Sequence, residues 1–353
     1  MPTKSELLSQ PIDHYDIKAY DVVPQIDAMR KMAFSSRDLA RASEIFDRML
    51  ADTDCAVILT MAGSLISAGL KNVFVDMIRN NMVDAVVTTG ANIIDQDFFE
   101  ALGYKHYVAP DKYKSGEYDK ELMDLMIDRI YDTLIDEEQL RECDDLCGDI
   151  ADGLEARPYS SREFIKEMGR WLENNGGPKS DSILWECYKR DVPIFAPAFS
   201  DCSAGFGLIQ HQHRRMKTGE AMVSIDSVRD FYELATIKMK HPTTGLFMCG
   251  GGVPKNFAQD ITVAADIFGH DASLHKYAIQ VTVADVRDGA LSSSTLKEAA
   301  SWGKVDTVWE QMVFSEATLA VPLIAGYGYH KGSWKNRKPL AFAQMLGQTP
   351  VLA

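Results

Sequence analysis

The chain of 353 residues lacks any apolar run that approaches the roughly 20 residues of a membrane span. Its first 20 residues are polar and contain no apolar segment typical of a signal peptide. The six cysteines are scattered without the spacing of a disulfide framework. We therefore expect a cytoplasmic protein with free thiols, and no association with a membrane.

Positive charge is also scarce, because 37 lysines and arginines stand against 51 aspartates and glutamates, a formal net charge of −14. Nucleic acids and anionic membranes need basic patches, so neither is an expected partner. An acidic surface suits a small cationic substrate, although it also simply keeps a protein soluble. No metal site is expected: Cys143 and Cys147 lie one helical turn apart without a nearby histidine. His211 and His213 are expected to be loop or surface residues.

Short apolar runs alternate with helical patterns along the chain. The runs that read as strands lie at 55–61, 85–89, 192–198, 244–249, 277–283 and 307–314. Helical patterns lie near 35–52, 65–80, 119–135, 136–147, 161–175, 225–240, 255–267 and 315–327. The alternation predicts an α/β fold: a Rossmann-like parallel sheet covered by helices on both faces.

Small or polar residues follow five of these predicted strands. The five strand ends are Gly63-Ser64, Thr89-Gly90-Ala91, Ser200-Asp201, Gly250-Gly251-Gly252 and Ala284-Asp285. Small residues let backbone approach a ligand, and ligands of open α/β sheets lie outside the carboxyl ends of the strands. This edge is therefore the predicted site, with a floor of a size that suits a dinucleotide. A strict G-x-G-x-x-G motif is absent, so the sequence does not carry the standard dinucleotide fingerprint.

The stretch 297–304 combines a carboxylate, an indole and an amine in one short run. Read as a helix, it places Glu298 and Trp302 on one side, and Gly303 is the natural helix stop. Lys304 would stand at the helix end beside an aromatic face and near an acid. A lysine so placed can lose its proton and act as a nucleophile on carbonyl-like carbon. Taken alone, the stretch fits a surface lysine after a helix stop better than a catalytic one, since few lysines are catalytic.

The ordered motifs resemble those of deoxyhypusine synthase and its relatives, the homospermidine synthases. The most specific are Glu-Ala-Ala-Ser-Trp-Gly-Lys at 298–304 and Gly-Gly-Gly-Val-Pro-Lys at 250–255. Other matching stretches follow in the family's order at 63–69, 81–84, 87–92, 192–198 and 315–323. The resemblance runs from residue 20 to residue 327 and implies a deoxyhypusine synthase-like fold.

The resemblance implies that bound NAD takes hydride from an amine carbon of spermidine or putrescine and later returns it. The family's catalytic lysine, which matches Lys304, holds the four-carbon unit as an imine until an acceptor amine takes it. A homotetramer with paired sites across a subunit interface is implied as well. Residues 35–330 would form the single NAD-binding catalytic domain, after a lead-in at 1–34 and before a tail at 331–353.

Family positions that contact NAD fall on ten residues here: Ser64, Ser67, Thr89, Gly90, Ala91, Asp95, Asp201, Gly251, Ala284 and Glu316. Asp95 and Glu316 are the expected partners of ribose hydroxyls. On the substrate side, Glu298 is expected to contact an ammonium group. Trp302 would form a wall or a cation–π partner for the substrate, with core packing as an equal alternative. Asp288 is an amine contact or an ordinary turn residue.

The sequence departs from the family pattern at four positions. Asn256 stands where the family has a histidine on the substrate, and an asparagine cannot titrate. Phe206, Leu291 and Ile94 stand where the resemblance places acids. Because an unpaired buried ammonium is costly, we expect the polyamine to bind differently or the substrate to carry fewer charges. These changes either alter specificity or abolish the family activity.

Three readings follow from the sequence. The first is an NAD-dependent transferase that passes an aminobutyl-type group through a Lys304 imine to a free amine, with a homospermidine-type product as one candidate. The second is a true deoxyhypusine synthase that modifies a lysine of an initiation-factor precursor. The third is a non-catalytic NAD-binding relative, against which the retention of Glu298, Trp302 and Lys304 together argues.

Overall fold

The computed structural model describes residues 2–177, 181–271, 273–292 and 294–347. Its strands are β1 (Ala56–Met61), β2 (Ala85–Thr88), β3 (Tyr107–Val108), β4 (Ile127–Ile130), β5 (Thr133–Asp136), β6 (Pro158–Tyr159), β7 (Ile194–Phe195), β8 (Ser224–Ile225), β9 (Thr244–Cys249), β10 (His275–Thr282) and β11 (Val305–Phe314).

The helices in the same residues are α1 (Lys4–Leu7), α2 (Val23–Met29), α3 (Phe34–Ala51), α4 (Lys71–Arg79), α5 (Phe99–Ala101), α6 (Asp119–Asp124), α7 (Glu137–Asp152), α8 (Ser161–Asn175), α9 (Ile183–Arg190), α10 (Ser203–Thr218), α11 (Ser227–Lys240), α12 (Gly252–Gln259), α13 (Ile261–Ile267), α14 (Leu296–Ser301), α15 (Ala317–Lys331) and α16 (Phe342–Gly347). Wide π-helical turns cover Ile66–Leu70 and Ala91–Phe98, and 3-10 turns cover Asp111–Tyr113, Gly289–Leu291 and Ser333–Asn336. Among these residues, no helix is both long and apolar enough to cross a bilayer.

The central sheet has six parallel strands in the order β11-β10-β9-β1-β2-β7. Alternate residues of the central strand β1 point into two different cores. Val57 packs into the core that includes α3 and α4, whereas Ile58 packs into the core that includes α11 and α13. This alternation, with period two, explains why the strand is apolar at every position except Thr60. The predicted α/β fold, a parallel sheet with helices on both faces, is confirmed.

Two of the predicted elements were wrong. The helix expected near 119–135 ends at Asp124, and β4 and β5 then form an antiparallel hairpin. Met126 and Tyr131 have positive φ angles of 57° and 55°, which interrupt the helix and form the hairpin turn. The strand expected at 192–198 is only Ile194–Phe195 at the sheet edge. Its neighbours include prolines, which cannot donate to a strand ladder.

Both ends of the chain pack onto the central fold. Ile17 and Ile26 of the N-terminal segment are buried in one core, and Phe342 and Leu346 of the C-terminal segment are buried in the other. The residues before and after the expected 35–330 unit therefore contribute apolar surface to the same two cores.

A buried ion pair connects the C-terminal segment to the central sheet. Arg337 Nη2 donates to Asp84 Oδ2 over 2.5 Å, and both side chains are 2 % exposed. Arg337 Nε also donates to the carbonyl of Asn81 over 2.7 Å, while the N–H of Val57 donates to Asp84 Oδ2 over 2.8 Å. This network joins the C-terminal segment to the start of β1 and to the turn before β2.

Replacing Arg337 by alanine is expected to lower the free energy of unfolding by about 3–5 kcal/mol, because the Asp84 carboxylate would stay buried without its cation. Urea denaturation of R337A measures this loss. The control is K338A, which removes an exposed neighbouring cation and should change the free energy by no more than about 0.5 kcal/mol. Equal stability of the two variants would contradict a structural role for the pair.

Candidate active site

Lys304 is placed by the way α14 ends. The N–H of Gly303 donates to the carbonyl of Ala300 over 3.1 Å, and the N–H of Lys304 donates to that of Ala299 over 3.0 Å. Gly303 has a φ of 69°, so these bonds form a Schellman motif, which favours glycine at this position. The carbonyl of Lys304 then accepts from the N–H of His275 and starts the pairing of β11 with β10. The predicted helix stop at Gly303 is confirmed.

The side chain of Lys304 turns inward, and the residue is only 7 % exposed. Its Nζ lies 2.6 Å from Asp260 Oδ1 and donates to Asn256 Oδ1 over 3.3 Å. It also lies 5.7 Å from the centroid of the Trp302 ring. The amine therefore stands next to one carboxylate, one amide and one aromatic ring.

Asn256 and Asp260 reach Lys304 from α12, which begins directly after the glycine turn that follows β9. Their spacing of four residues places them on one helix face. Asn256 Nδ2 donates to Asp260 Oδ2 over 3.0 Å, so the asparagine contacts both members of the ion pair. Sequence reasoning missed Asp260, although its helical spacing from Asn256 was a signal that could have found it.

A second lysine lies beside the first. Lys255 is fully buried, and its Nζ donates to the carbonyls of Leu291 and Ser294 over 2.8 and 2.5 Å. Burial, with the nearby charge of Lys304, lowers the pKa of Lys255 to about 8. These two bonds hold the segment after the 3-10 turn at Gly289–Leu291 against α12. Sequence reasoning missed this lysine as well.

The predicted substrate residues are distributed around this centre. The carboxylate of Glu298 accepts from the N–H and hydroxyl of Thr295 over 2.8 and 2.7 Å, as part of a capping box for α14. The acid in contact with Lys304 is thus Asp260, and Glu298 stands at the other end of the helix. Trp302 is 66 % exposed, so core packing does not explain it. Asp288 Oδ1 accepts from the N–H of Ala290 over 2.8 Å and caps a 3-10 turn.

An open cleft of about 460 Å³ lies at the carboxyl ends of β1, β9 and β10. Four of the ten predicted cofactor residues line it: Ser64, Gly251, Ala284 and Glu316. Most of the lining residues are small, and Gly63, with a φ of 93°, has no atom within 4 Å of the position a Cβ would take. The predicted location of a ligand cleft at this edge matches the structure.

The other six predicted cofactor residues do not line this cleft and have contacts within the chain. Ser67 donates to the carbonyl of Ser64, and Thr89 accepts from Asn92. A Cβ on Gly90 would meet Cys202 Sγ at 2.4 Å, so close packing already accounts for this glycine. The remaining three lie near the ends of β2 and β7: Ala91, Asp95 and Asp201.

Asp95 closes the start of α10. Its Oδ1 accepts from the N–H of Ser203 over 2.7 Å. Burial raises the pKa of Asp95, and the nearby Asp201 charge acts in the same direction. The backbone N–H groups of the first turn after β1 are also hydrogen-bonded by side chains, because Asn92 and Gln96 accept from the N–H groups of residues 65–67. Those groups are consequently satisfied within the chain.

A second cavity of about 420 Å³ lies on the other side of the glycine turn. Asn256 and Asp260 line it together with Phe231, Phe257 and Ser292. Gly252 lines both cavities, so the cleft and this chamber adjoin at the turn. Lys304 is not itself one of the residues that line the chamber, but its amine contacts two residues that do, Asn256 and Asp260.

The three positions where apolar residues replace expected acids differ in their surroundings. Ile94 and Leu291 are buried in the cores, whereas Phe206 on α10 is 59 % exposed. An acid at either buried position would need a partner that the core does not supply. Of these three residues, Phe206 is therefore the one that is accessible from the surface.

The histidines expected in loops or at the surface both lie on α10, and His213 is exposed there, as expected. His211 is buried, with Nδ1 at 2.6 Å from Asp152 Oδ1 and Nε2 accepting from the N–H of Val223 over 3.0 Å. The expectation was wrong for this residue, because α10 turns its ring toward α7. Cys143 and Cys147 are buried on α7. In the described ranges, no cluster of three His, Cys, Asp or Glu residues is placed to hold a metal ion.

Comparison with known proteins supports the resemblance. The family model described as deoxyhypusine synthase matches residues 25–327. The deoxyhypusine synthase-like protein of Chlorobaculum parvum is 58% identical over 353 residues, which cover 99% of this chain and 98% of the relative. The protein of the same name from Coxiella burnetii is 55% identical over 98% of this chain and 96% of its own length.

More distant matches agree. A Methanosarcina mazei protein named "Probable deoxyhypusine synthase 2" is 39% identical, covering 88% of this chain and 87% of its own. A solved structure of a candidate deoxyhypusine synthase from Entamoeba histolytica aligns with a TM-score of 0.59 at 17% identity, covering 90% of this chain and 97% of that chain. The last match concerns the fold alone. The chain belongs to the deoxyhypusine synthase family.

Proposed function

We propose that this protein is an NAD-dependent transferase that moves an aminobutyl-type group from a polyamine through an imine on Lys304 to a free amine. One observation carries the proposal: the Lys304 amine is largely withdrawn from solvent and contacts Asp260 and Asn256, which line a chamber that adjoins the cleft. A lysine amine in such surroundings is suited to nucleophilic attack on carbonyl-like carbon.

NAD is proposed for the cleft, and the residues present fit it. The volume lies within the range of small-molecule sites, and Gly63 leaves room for close approach to backbone, whereas Gly251 packs against the carbonyls of Ala290 and Leu291. Glu316 stands at the cleft as the N-cap of α15 and would accept from ribose hydroxyls. Ser64, Gly251 and Ala284 would line the remaining length. When bound, NAD supplies reversible hydride transfer at the amine carbon.

The chain's own residues would hold the amine substrate in the chamber. Asp260 offers a carboxylate there, and the exposed ring of Trp302 can cover an aliphatic chain or a cation. Glu298 and Asp288 add negative charge on neighbouring segments. The net charge of −14 is consistent with a cationic substrate. Asn256 would orient the amine by hydrogen bonding without exchanging a proton.

A free amine acceptor is the part of the proposal that rests on the departures from the family pattern. Asn256 and Phe206 replace two residues that the resemblance assigns to the polyamine, and both lie where a substrate could reach them. A changed amine preference is the simplest consequence of that replacement.

A homotetramer is also proposed, with sites near subunit interfaces. Several large apolar residues stand exposed next to the cleft and Lys304: Val283, Val286, Trp302, Phe314 and Leu319. Exposed apolar clusters of this kind mark contact surfaces.

Incubation with NAD and an amine donor, followed by borohydride, is expected to leave a reduced four-carbon amine adduct on Lys304. Putrescine, spermidine and agmatine are offered in turn, and peptide mass spectrometry locates the adduct. K304A should give none, whereas K297A, which removes an exposed lysine of the same helix, should behave as the wild type. An absence of adduct from every donor, with NAD bound, would contradict the transferase and favour a binding protein.

Glu316→Gln is expected to weaken NAD binding by about tenfold, because a hydrogen bond to a charged group contributes about 1.5–3 kcal/mol. Glutamine keeps an acceptor for the N–H of Thr318 at the start of α15, so the melting temperature should not change. Calorimetric titration with NAD measures the affinity, and E117Q, an exposed acid outside the cleft, is the control. An unchanged affinity would contradict the proposed contact between Glu316 and the ribose.

The purified protein is expected to run as four copies in size-exclusion chromatography with light scattering. Leu319→Asp should shift it toward smaller species, since a charge would be placed within the proposed contact surface. Met123→Asp changes an exposed apolar residue of α6 and serves as the control. A monomeric wild-type protein would refute the assembly.

A further inference from the structure

We infer that Asp260 is the proton acceptor and donor for Lys304, in the place where the family's histidine has become Asn256. No proton-transfer group for the reaction was identified from the sequence, because asparagine does not titrate. The structure brings a carboxylate to the reacting nitrogen from one helical turn further along α12. For the natural reaction this inference rests on the proposed function, whereas its chemistry at Lys304 can be tested independently.

The geometry suits direct proton transfer. Asp260 Oδ1 lies 2.6 Å from Lys304 Nζ, within the reach that general acid–base catalysis needs. The other oxygen, Oδ2, accepts from Asn256 Nδ2 over 3.0 Å, which fixes the plane of the carboxylate. Asn256 Oδ1 in turn accepts from Lys304 Nζ, so the amide holds acid and amine in one orientation. The Asp260 side chain is 29 % exposed, which leaves it accessible from the chamber.

The other charged groups around Lys304 are committed elsewhere. Lys255 on α12 donates to two backbone carbonyls. Glu298 on α14 accepts from Thr295 at the opposite end of its helix. The segment after Gly289–Leu291 presents the carbonyls of Leu291 and Ser294 to Lys255. Asp260 is thus the carboxylate that contacts the lysine nitrogen in the described part of the chain.

The step balances with the groups named. Asp260 takes one proton from the Lys304 ammonium, and the freed lone pair forms a bond from Nζ to the protonated imine carbon of the substrate. The surplus proton on Nζ passes to the departing nitrogen, whose bond to carbon then breaks. The four-carbon unit remains as a protonated imine on Lys304. Asp260 returns its proton to the released amine, which leaves as an ammonium ion, so neither charge nor hydrogen is gained or lost.

The test uses an aldehyde, so that it needs neither NAD nor the natural donor. Butanal and cyanoborohydride alkylate Lys304 through an imine, and peptide mass spectrometry gives the rate at that residue as a function of pH. With cyanoborohydride in excess, so that formation of the imine limits the rate, the wild-type rate is expected to rise with pH and to level off once the amine is neutral. Asp260→Asn should lower the plateau by about 100-fold, because general acid–base catalysis typically contributes 10²–10⁴-fold.

The plateau separates proton transfer from a charge effect. If Asp260 acted only through its charge, D260N would move the profile along the pH axis and leave the plateau unchanged, which would overturn the inference. D260E, which keeps a carboxylate on a longer side chain, should recover most of the lost rate and remains informative if D260N folds poorly. D266N, an exposed acid on α13, should match the wild type.

The two proposals can fail separately. A plateau that depends on Asp260, together with no adduct from any amine donor, would refute the transferase and leave the proton acceptor in place. An adduct from putrescine or spermidine, together with a plateau insensitive to D260N, would refute the proton acceptor and leave the transferase.

Discussion

The contact between Lys304 and Asp260 is the interaction on which the candidate site depends. It requires two chain segments that are far apart in sequence to end at the same place. Lys304 follows Gly303, whose positive φ ends α14. Asp260 is the C-cap of α12, the helix that begins after the glycine turn. Both helices pack against the parallel sheet, α14 against β11 and α12 against β1 and β2. The site is therefore a property of the sheet and of how two helices stop.

Two buried lysines lie at this contact, and their partners differ. Lys255 and Lys304 carry like charges close together in a poorly solvated region, and each is held by a different set of oxygens. Burial lowers the pKa of Lys255, and the nearby charge of Lys304 acts in the same direction. Lys304 instead faces a carboxylate that can exchange a proton. Lys255 thus has a structural role, whereas the surroundings of Lys304 suit chemistry.

The departures from the family pattern gain a physical meaning from their surroundings. Ile94 and Leu291 belong to the cores, where a lone acid would be costly, so their side chains contribute to stability. Phe206 and Asn256 are the changes that a substrate could meet. The residues that could set the amine preference are therefore Phe206, Asn256 and the neighbour of Asn256 in space, Asp260.

The sequence by itself determined the fold class, the edge of the sheet that forms the cleft, the helix stop at Gly303 and the family. These follow from short-range patterns: apolar runs with period two, glycine after strands and helices, and the motif around Lys304. The hairpin at 127–136 and the burial of His211 escaped because tertiary packing outweighs local helical spacing there. The acid beside Lys304 was decided by tertiary structure, since Glu298 is near in sequence but caps its own helix, whereas Asp260 is distant in sequence and adjacent in space.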